Sequence, residues 1–175
     1  GITITNGGVN MVNLTQKERM LLEDQKKQEE ICVKKYNDYA NQTQNSQLKQ
    51  LCKDIGQKEV EHLNTINSLL NGQMPNVNSQ QGQQQSNQSQ QQSNQGQQSN
   101  MGNNAGGGSP DENDAYLCND LLSTEKHVSG NYDTTIFEFR DTNIRQVLNH
   151  IQKEEQEHGE QIFNFMQSHG MYNPQ

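Results

Sequence analysis

Apolar residues recur along this chain at steps of three and four in four separate runs, the spacing that lines one face of a helix. The second run reads Leu48, Leu51, Cys52, Ile55, Leu63, Ile66 and Leu70; the fourth reads Val147, Leu148, Ile151, Ile162, Phe165 and Met166. The first and third carry Leu22, Cys32, Val33 and Tyr36, and Leu121, Leu122, Val128 and Tyr132. No segment alternates apolar and polar residues well enough to predict a strand. The predicted fold class is all-α.

Local signals set the ends of the helices. Thr15 and Glu18 form a Thr-x-x-Glu capping box behind Leu14, so the first helix starts there. The polar break at Asn45–Ser46 predicts a turn, and a second helix runs from about Gln47 to Leu70, closed by Gly72 and Pro75. Pro110 and Asp111 can start a third, lasting to about Phe139, and Asp141 or Thr142 caps a fourth that ends near Gly170. The expected organisation is a disordered leader over 1–13, helical hairpins over 14–71 and 111–170, a disordered linker over 72–110 and a tail over 171–175. The two hairpins together form one bundle, since neither alone could comfortably bury a core.

The hairpins are copies of one another. Residues 21–72 slide by 96 positions onto 117–168 without a gap. Leu21 falls on Leu117, Asp24 on Asp120, Glu29 on Glu125, Tyr36 on Tyr132, Ile55 on Ile151, Glu59 on Glu155, His62 on His158 and Ile66 on Ile162.

Six of the matched residues are polar yet interrupt the apolar stripes: Glu29, Glu59, His62, Glu125, Glu155 and His158. Glu30, Glu61, Glu154 and Glu157 fall off the stripes and are expected to face solvent. Glu29 and Glu59 are equidistant from residue 44, near the first turn, and Glu125 and Glu155 are equidistant from residue 140, near the second. In an antiparallel hairpin, equal distance from the turn means equal height. The height here is about 22 Å at 1.5 Å per residue, near the middle of the bundle. Four carboxylates and two imidazoles should therefore converge at one level.

Burying four carboxylates without counter-charge costs several kcal/mol per ion. Protonation could relieve part of this, but two divalent cations neutralise all four charges and use both histidines. Oxygen and imidazole donors without thiolate suit iron or manganese, with zinc as a third candidate. Two identical half-sites predict two ions about 3.5–4 Å apart. One Glu-x-x-His arises readily by chance; two of them, each with a glutamate thirty residues upstream, form a specific pattern. The competing reading is an inherited polar core without metal. Tyr36 and Tyr132, seven residues after Glu29 and Glu125, are placed either to donate hydrogen bonds to a ligand carboxylate or simply to fill the core. His127, His150 and His169 lack a histidine at the matched position and read as surface or incidental residues.

Composition narrows the function classes. The net charge of −8 argues against nucleic acid as a partner. No run of about 18 apolar residues exists to span a membrane, and Gly1–Asn10 lacks the basic-then-apolar order of a secretory signal. Cys32, Cys52 and Cys118 make an odd count without CxxC spacing, which fits buried thiols in a reducing compartment. From Gly72 to Pro110 there is no charged residue, and Gln, Asn, Ser and Gly dominate. A flexible tether of roughly 40 residues has a root-mean-square span of about 35 Å. That is comparable to a helix of about 42 Å, so the tether can run the length of a bundle. Such a Gln/Asn tract can also drive association between chains.

The segments MVNLTQKERMLLEDQKKQEEICVKKYNDYANQ, LKQLCKDIGQKEVEHLNTINSLLNG and IFEFRDTNIRQVLNHIQKEEQEHGEQIFNFMQSHGMYN resemble clostridial spore coat proteins of the Coat F family. The half-site pattern also resembles rubrerythrin and other ferritin-like proteins, without the paired CxxC motifs of the rubredoxin-like iron domain. The resemblance implies a ferritin-like four-helix bundle of two duplicated hairpins joined by a long disordered crossover. It makes the six matched residues the bridging and terminal metal ligands. It also implies a protein made in the mother-cell cytoplasm and assembled into the spore coat, with other coat proteins or its own copies as partners. The alternative expectation is a dinuclear oxidoreductase acting on O2 or peroxide, as ferroxidase, peroxidase or catalase-like enzyme.

Overall fold

The computed structural model describes residues 3–4, 10–75 and 111–171. Most of the expected linker, residues 76–110, and the tail from 172 lie outside the described residues, as does much of the expected leader. Four long helices dominate: α1 Gln16–Gln42, α2 Ser46–Leu70, α3 Glu112–Glu138 and α4 Thr142–Ser168. The expected boundaries agree with these to within a few residues. Thr15 and Glu18 close the capping box, while the side chains of Asn45, Asp111 and Asp141 each accept from two backbone amides at the starts of α2, α3 and α4. Gly72, at φ 79°, and Gly170, at φ 67°, take the left-handed conformation just past α2 and α4. There the amides of Gly72 and Gln73 return to Leu69 and Ser68, and those of Gly170 and Met171 to Gln167 and Met166, satisfying carbonyls the helices leave open.

The helices form an antiparallel ring in which α1 packs on α2 and α3, and α4 packs on α3 and α2. Lys17 meets Glu138 at one end of the α1–α3 pair, and Thr43 meets Asp114 at the other. Arg19 reaches the carbonyl of Leu70, so α2 ends beside the start of α1. The last turn of α2 and the first turn of α3 therefore sit at opposite ends of the bundle. The end of α2 and the start of α3 are thus separated by about the length of the bundle, about 40 Å at 1.5 Å per residue. The crossover expected between them lies outside the described residues.

The core is not continuous. One apolar cluster, containing Leu22, Ile66, Leu69, Val128, Phe139 and Leu148, fills the end near Lys17. Another, containing Ala40, Leu48, Ile55, Leu121, Ile162 and Phe165, fills the end near Thr43. Each takes residues from all four helices, and the six matched polar residues lie between them.

Two features at the start of the chain depart from expectation. Asn10–Met11 (β2) pairs with Thr3–Ile4 (β1) in an antiparallel ladder of two residues, too short to leave a period in the sequence. Val12, placed in the leader by its sequence position, donates its amide to the carbonyl of Gly72 and packs with Leu14 against the first cluster.

Candidate metal centre

The six matched residues converge at mid-height. Glu29, Glu59, Glu125 and Glu155 are 0 to 2% exposed, and His62 and His158 are 2% and 3% exposed. Their donor atoms form two overlapping groups, Glu29, Glu59, His62 and Glu155, and Glu59, Glu125, Glu155 and His158, each with all donors within 4.8 Å of one another. Glu59 and Glu155 belong to both groups, whereas Glu29 with His62 and Glu125 with His158 belong to one each.

Both imidazoles turn Nδ1 toward the carboxylates. Nδ1 of His62 lies 2.9 Å from Glu155, 3.3 Å from Glu59 and 3.9 Å from Glu29. Nδ1 of His158 lies 2.9 Å from Glu59, 3.6 Å from Glu155 and 3.6 Å from Glu125. The rings stack with centroids 5.7 Å apart. The shortest histidine–carboxylate contacts thus cross between α2 and α4, and they swap symmetrically with the repeat.

Both tyrosines reach carboxylates of the set. The Tyr36 hydroxyl donates to Glu125 and that of Tyr132 to Glu29, each at 2.5 Å. Each therefore serves the glutamate of the other hairpin, a choice among the ligand carboxylates that the sequence spacing left open. The antiparallel pairing of α1 with α3 brings residues 36 and 125 to one level, and likewise 132 and 29, which no single-helix periodicity reveals.

Burial and mutual repulsion distort the acid–base balance of the layer. Burial first, then the neighbouring Glu59, pushes the Glu29 carboxyl well above its ordinary value, against the Tyr132 hydrogen bond. Burial and then Glu125 do the same to Glu155. Burial also opposes ionisation of Glu59, but its contacts with Glu29, His158 and His62 win and hold it well below the ordinary range. Burial would lower both histidines, yet Glu154 and Glu59 raise His62 to about 10, and Glu125, Glu155 and Glu59 raise His158 to about 11. Burial and mutual repulsion thus favour the protonated forms of Glu29 and Glu155, and the neighbouring carboxylates favour those of both histidines.

The donor set fits divalent cations. One oxygen each of Glu29, Glu125 and Glu155 is buried without any hydrogen-bond partner, an arrangement that desolvates an acceptor and gives nothing back. All three belong to the two donor groups. A cation among them would satisfy the orphaned oxygens and replace the protons.

Glu154 corrects the sequence reading. It was expected to face solvent but is 5% exposed, with one oxygen 3.4 Å from Nε2 of His62 and 2.9 Å from Nε2 of His150. Lys58 lies 3.8 Å from its other oxygen. Burial opposes its charge, but His62, His150 and Lys58 hold the carboxylate down at about 2. A stripe drawn on α4 alone places residue 154 outside the core; the flank of α2 covers it. The signal was present in the repeat, where Glu154 matches Lys58, a charge reversal beside an otherwise identical ligand pair. Of the other expected outer residues, Glu30 is exposed and Glu61 and Glu157 are half-buried. His127 is exposed, while His169 stacks on Phe165 away from the layer. The three cysteines are free and buried; Cys32 lies close enough to the layer that burial and then its four carboxylates push the thiol far up.

One family model matches part of the chain. Residues 113–175 match the Coat F domain. The Coat F match takes in nearly all of α3 and all of α4, hence Glu125, Glu155 and His158, while the matched half-site on α1 and α2 lies outside it. No curated protein and no solved structure matches the chain.

The acid–base balance has a measurable consequence for the metal-free protein. The histidines have folded values raised above the ordinary 6.5, so their contribution to stability is complete below about pH 6.5 and fades as pH rises through 10 and 11. The raised Glu29 and Glu155 add a loss in the same direction above the ordinary 4.5. Glu59 and Glu154, held low, contribute fully above about 4.5 and stay constant from there. In chelator, the melting temperature followed by circular dichroism should fall from pH 6 to pH 9; a rise across that range would contradict the assignment.

Proposed function

We propose that this chain is a spore coat protein whose helical bundle holds two divalent cations, iron or manganese, with zinc as the third candidate. The observation that carries the metal reading is the pair of overlapping donor groups with three orphaned carboxylate oxygens at the centre of the core. The Coat F match over residues 113–175 supports the coat role. In this reading Glu29, Glu59, His62 and Glu155 would hold one cation, and Glu59, Glu125, Glu155 and His158 the other. The arrangement is that of ferritin-like dinuclear carboxylate proteins, one glutamate from each of two helices and a Glu-x-x-His from each of the others.

For a coat component the cations act first on stability. A site that exists only in the folded state turns binding free energy into folding free energy. The ligands must also release the protons they hold, so cation affinity rises with pH while the metal-free bundle weakens. Partners are then other coat proteins or further copies of this chain, with the Gln- and Asn-rich segment from 72 to 110 as the segment that associates.

The second reading is a dinuclear oxidoreductase. The observation favouring it is the donor set itself, carboxylate and imidazole without thiolate, which suits ions that change oxidation state. When bound, such ions would supply two electrons for reducing peroxide to water or for an equivalent step with O2. The residues of the chain would hold the ions, exclude bulk water with the flanking apolar clusters, and keep Tyr36 and Tyr132 bonded to the terminal carboxylates.

Protein purified without a His tag is expected to carry two iron or manganese ions per chain by elemental analysis and to melt higher with them than in chelator. Glu59→Ala with Glu155→Ala should abolish both effects; a wild-type chain free of bound metal would sink the site. Antibody labelling of sectioned spores should place the protein in the outer layers, and a purely cytoplasmic signal in mature spores would oppose the coat role. In stopped-flow mixing, peroxide turnover faster than that of the same cation in buffer would establish the redox reading, while parity would leave the structural one.

A further inference from the structure

The repeat makes the two halves of the centre nearly superimposable, yet two positions beside the ligands reverse their charge: Glu30 against Lys126, both exposed, and one that is buried in one half. Residue 154, next to Glu155, is glutamate; its repeat partner, next to Glu59, is Lys58. The consequence is asymmetric. Glu154 lies 3.4 Å from Nε2 of His62, the ring nitrogen turned away from the carboxylate layer. The matched Lys58 instead turns its ammonium to Glu61 at 3.3 Å and Glu154 at 3.8 Å. An ammonium can only donate, and so can the N–H on Nε2 of a histidine that offers Nδ1 to a cation. Lys58 therefore cannot do for His158 what Glu154 does for His62. Among the described residues, the carboxylate contacts of His158 are all made by Nδ1.

We propose that Glu154 is a positioning residue that makes the two cation positions inequivalent, so that the half with Glu29 and His62 binds the tighter of the two cations. This rests on the dinuclear metal reading and extends it. The carboxylate fixes the His62 ring with its proton on Nε2 and its free electron pair on Nδ1, aimed at the donor group. A carboxylate on the far nitrogen also increases the basicity of the ligating one. Glu154 is itself fixed, because His150 at 2.9 Å and Lys58 at 3.8 Å hold it from two other directions. Neither brace has its counterpart in the other half: the residue matching His150 is Asp54, whose carboxylate accepts from Gln50 on its own helix. The asymmetry is thus made of two matched pairs, Lys58 with Glu154 and Asp54 with His150, and not of one chance contact.

Titration of the metal-free full chain with Mn(II), counting free Mn(II) by electron paramagnetic resonance, tests the proposal. The wild type should take up two ions in two resolved steps. Glu154→Gln, which keeps the side-chain shape, should weaken the tighter step by about ten- to a hundredfold and the other far less. Lys58→Glu, at a half-exposed position, should strengthen the weaker step and narrow the gap; it also carries the test should Glu154→Gln fail to fold. In Co(II)-loaded wild type, one of the two ligand imidazole N–H protons should exchange slowly with water, and Glu154→Gln should remove that difference. Two equal sites in the wild type, or equal weakening of both in Glu154→Gln, would overturn the asymmetry while leaving the metal reading standing. No Mn(II) uptake by the wild type would overturn both.

Discussion

Four carboxylates at one level of a helical core are the constraint on which the rest of this structure depends. Each would cost several kcal/mol to bury as an isolated ion. The surrounding residues read as answers to that cost: two imidazoles turned inward on Nδ1, two tyrosine hydroxyls donating across the bundle, and the carboxyls of Glu29 and Glu155 pushed by burial toward their neutral form. These answers are incomplete, since three oxygens remain without partners. The layer also divides the apolar core into an upper and a lower cluster, so the helices are held at their ends by hydrophobic burial and at mid-height by polar contacts. A change in what neutralises the layer is therefore a change in the stability of the whole bundle.

The duplicated sequence carried most of this. Steps of three and four placed the helix faces, and the capping residues Thr15, Asn45, Asp111 and Asp141 placed their starts. The repeat, with the equal distances from each turn, puts Glu29, Glu59, Glu125 and Glu155 at one height. Such inference works because hairpin geometry is local: the turn fixes the register of the helices it joins. Contacts between hairpins obey a different rule. That Tyr36 serves Glu125 and not Glu29 depends on how α1 meets α3, and those helices are joined only through a long connection with no register of its own. Glu154 was misplaced for the same reason, because its burial comes from a neighbouring helix and not from its own stripe. Asp114, buried against the Thr43 hydroxyl at 2.7 Å, is another such contact that periodicity on α3 does not mark.

Duplication also explains how all six donor residues come to lie in one chain. A single hairpin presents one glutamate and one Glu-x-x-His, half a site with its charges exposed; two copies close it. The Coat F match falls on one copy, and the repeat supplies the other. Once both halves lie in one chain they are free to diverge. Two of the pairs that have diverged near the ligands are Lys58 against Glu154 and Asp54 against His150; of these Glu154 contacts a ligand histidine, and His150 and Lys58 hold Glu154.

Anomalous diffraction at the manganese and iron edges, from crystals of the full chain grown with these cations, tests the central claim most directly. Two peaks are expected between Glu59 and Glu155, one flanked by Glu29 and His62 and the other by Glu125 and His158. Crystals with no peak at that level, and with the carboxylates still in contact with the histidines, would contradict it and identify the layer as a proton-balanced polar core.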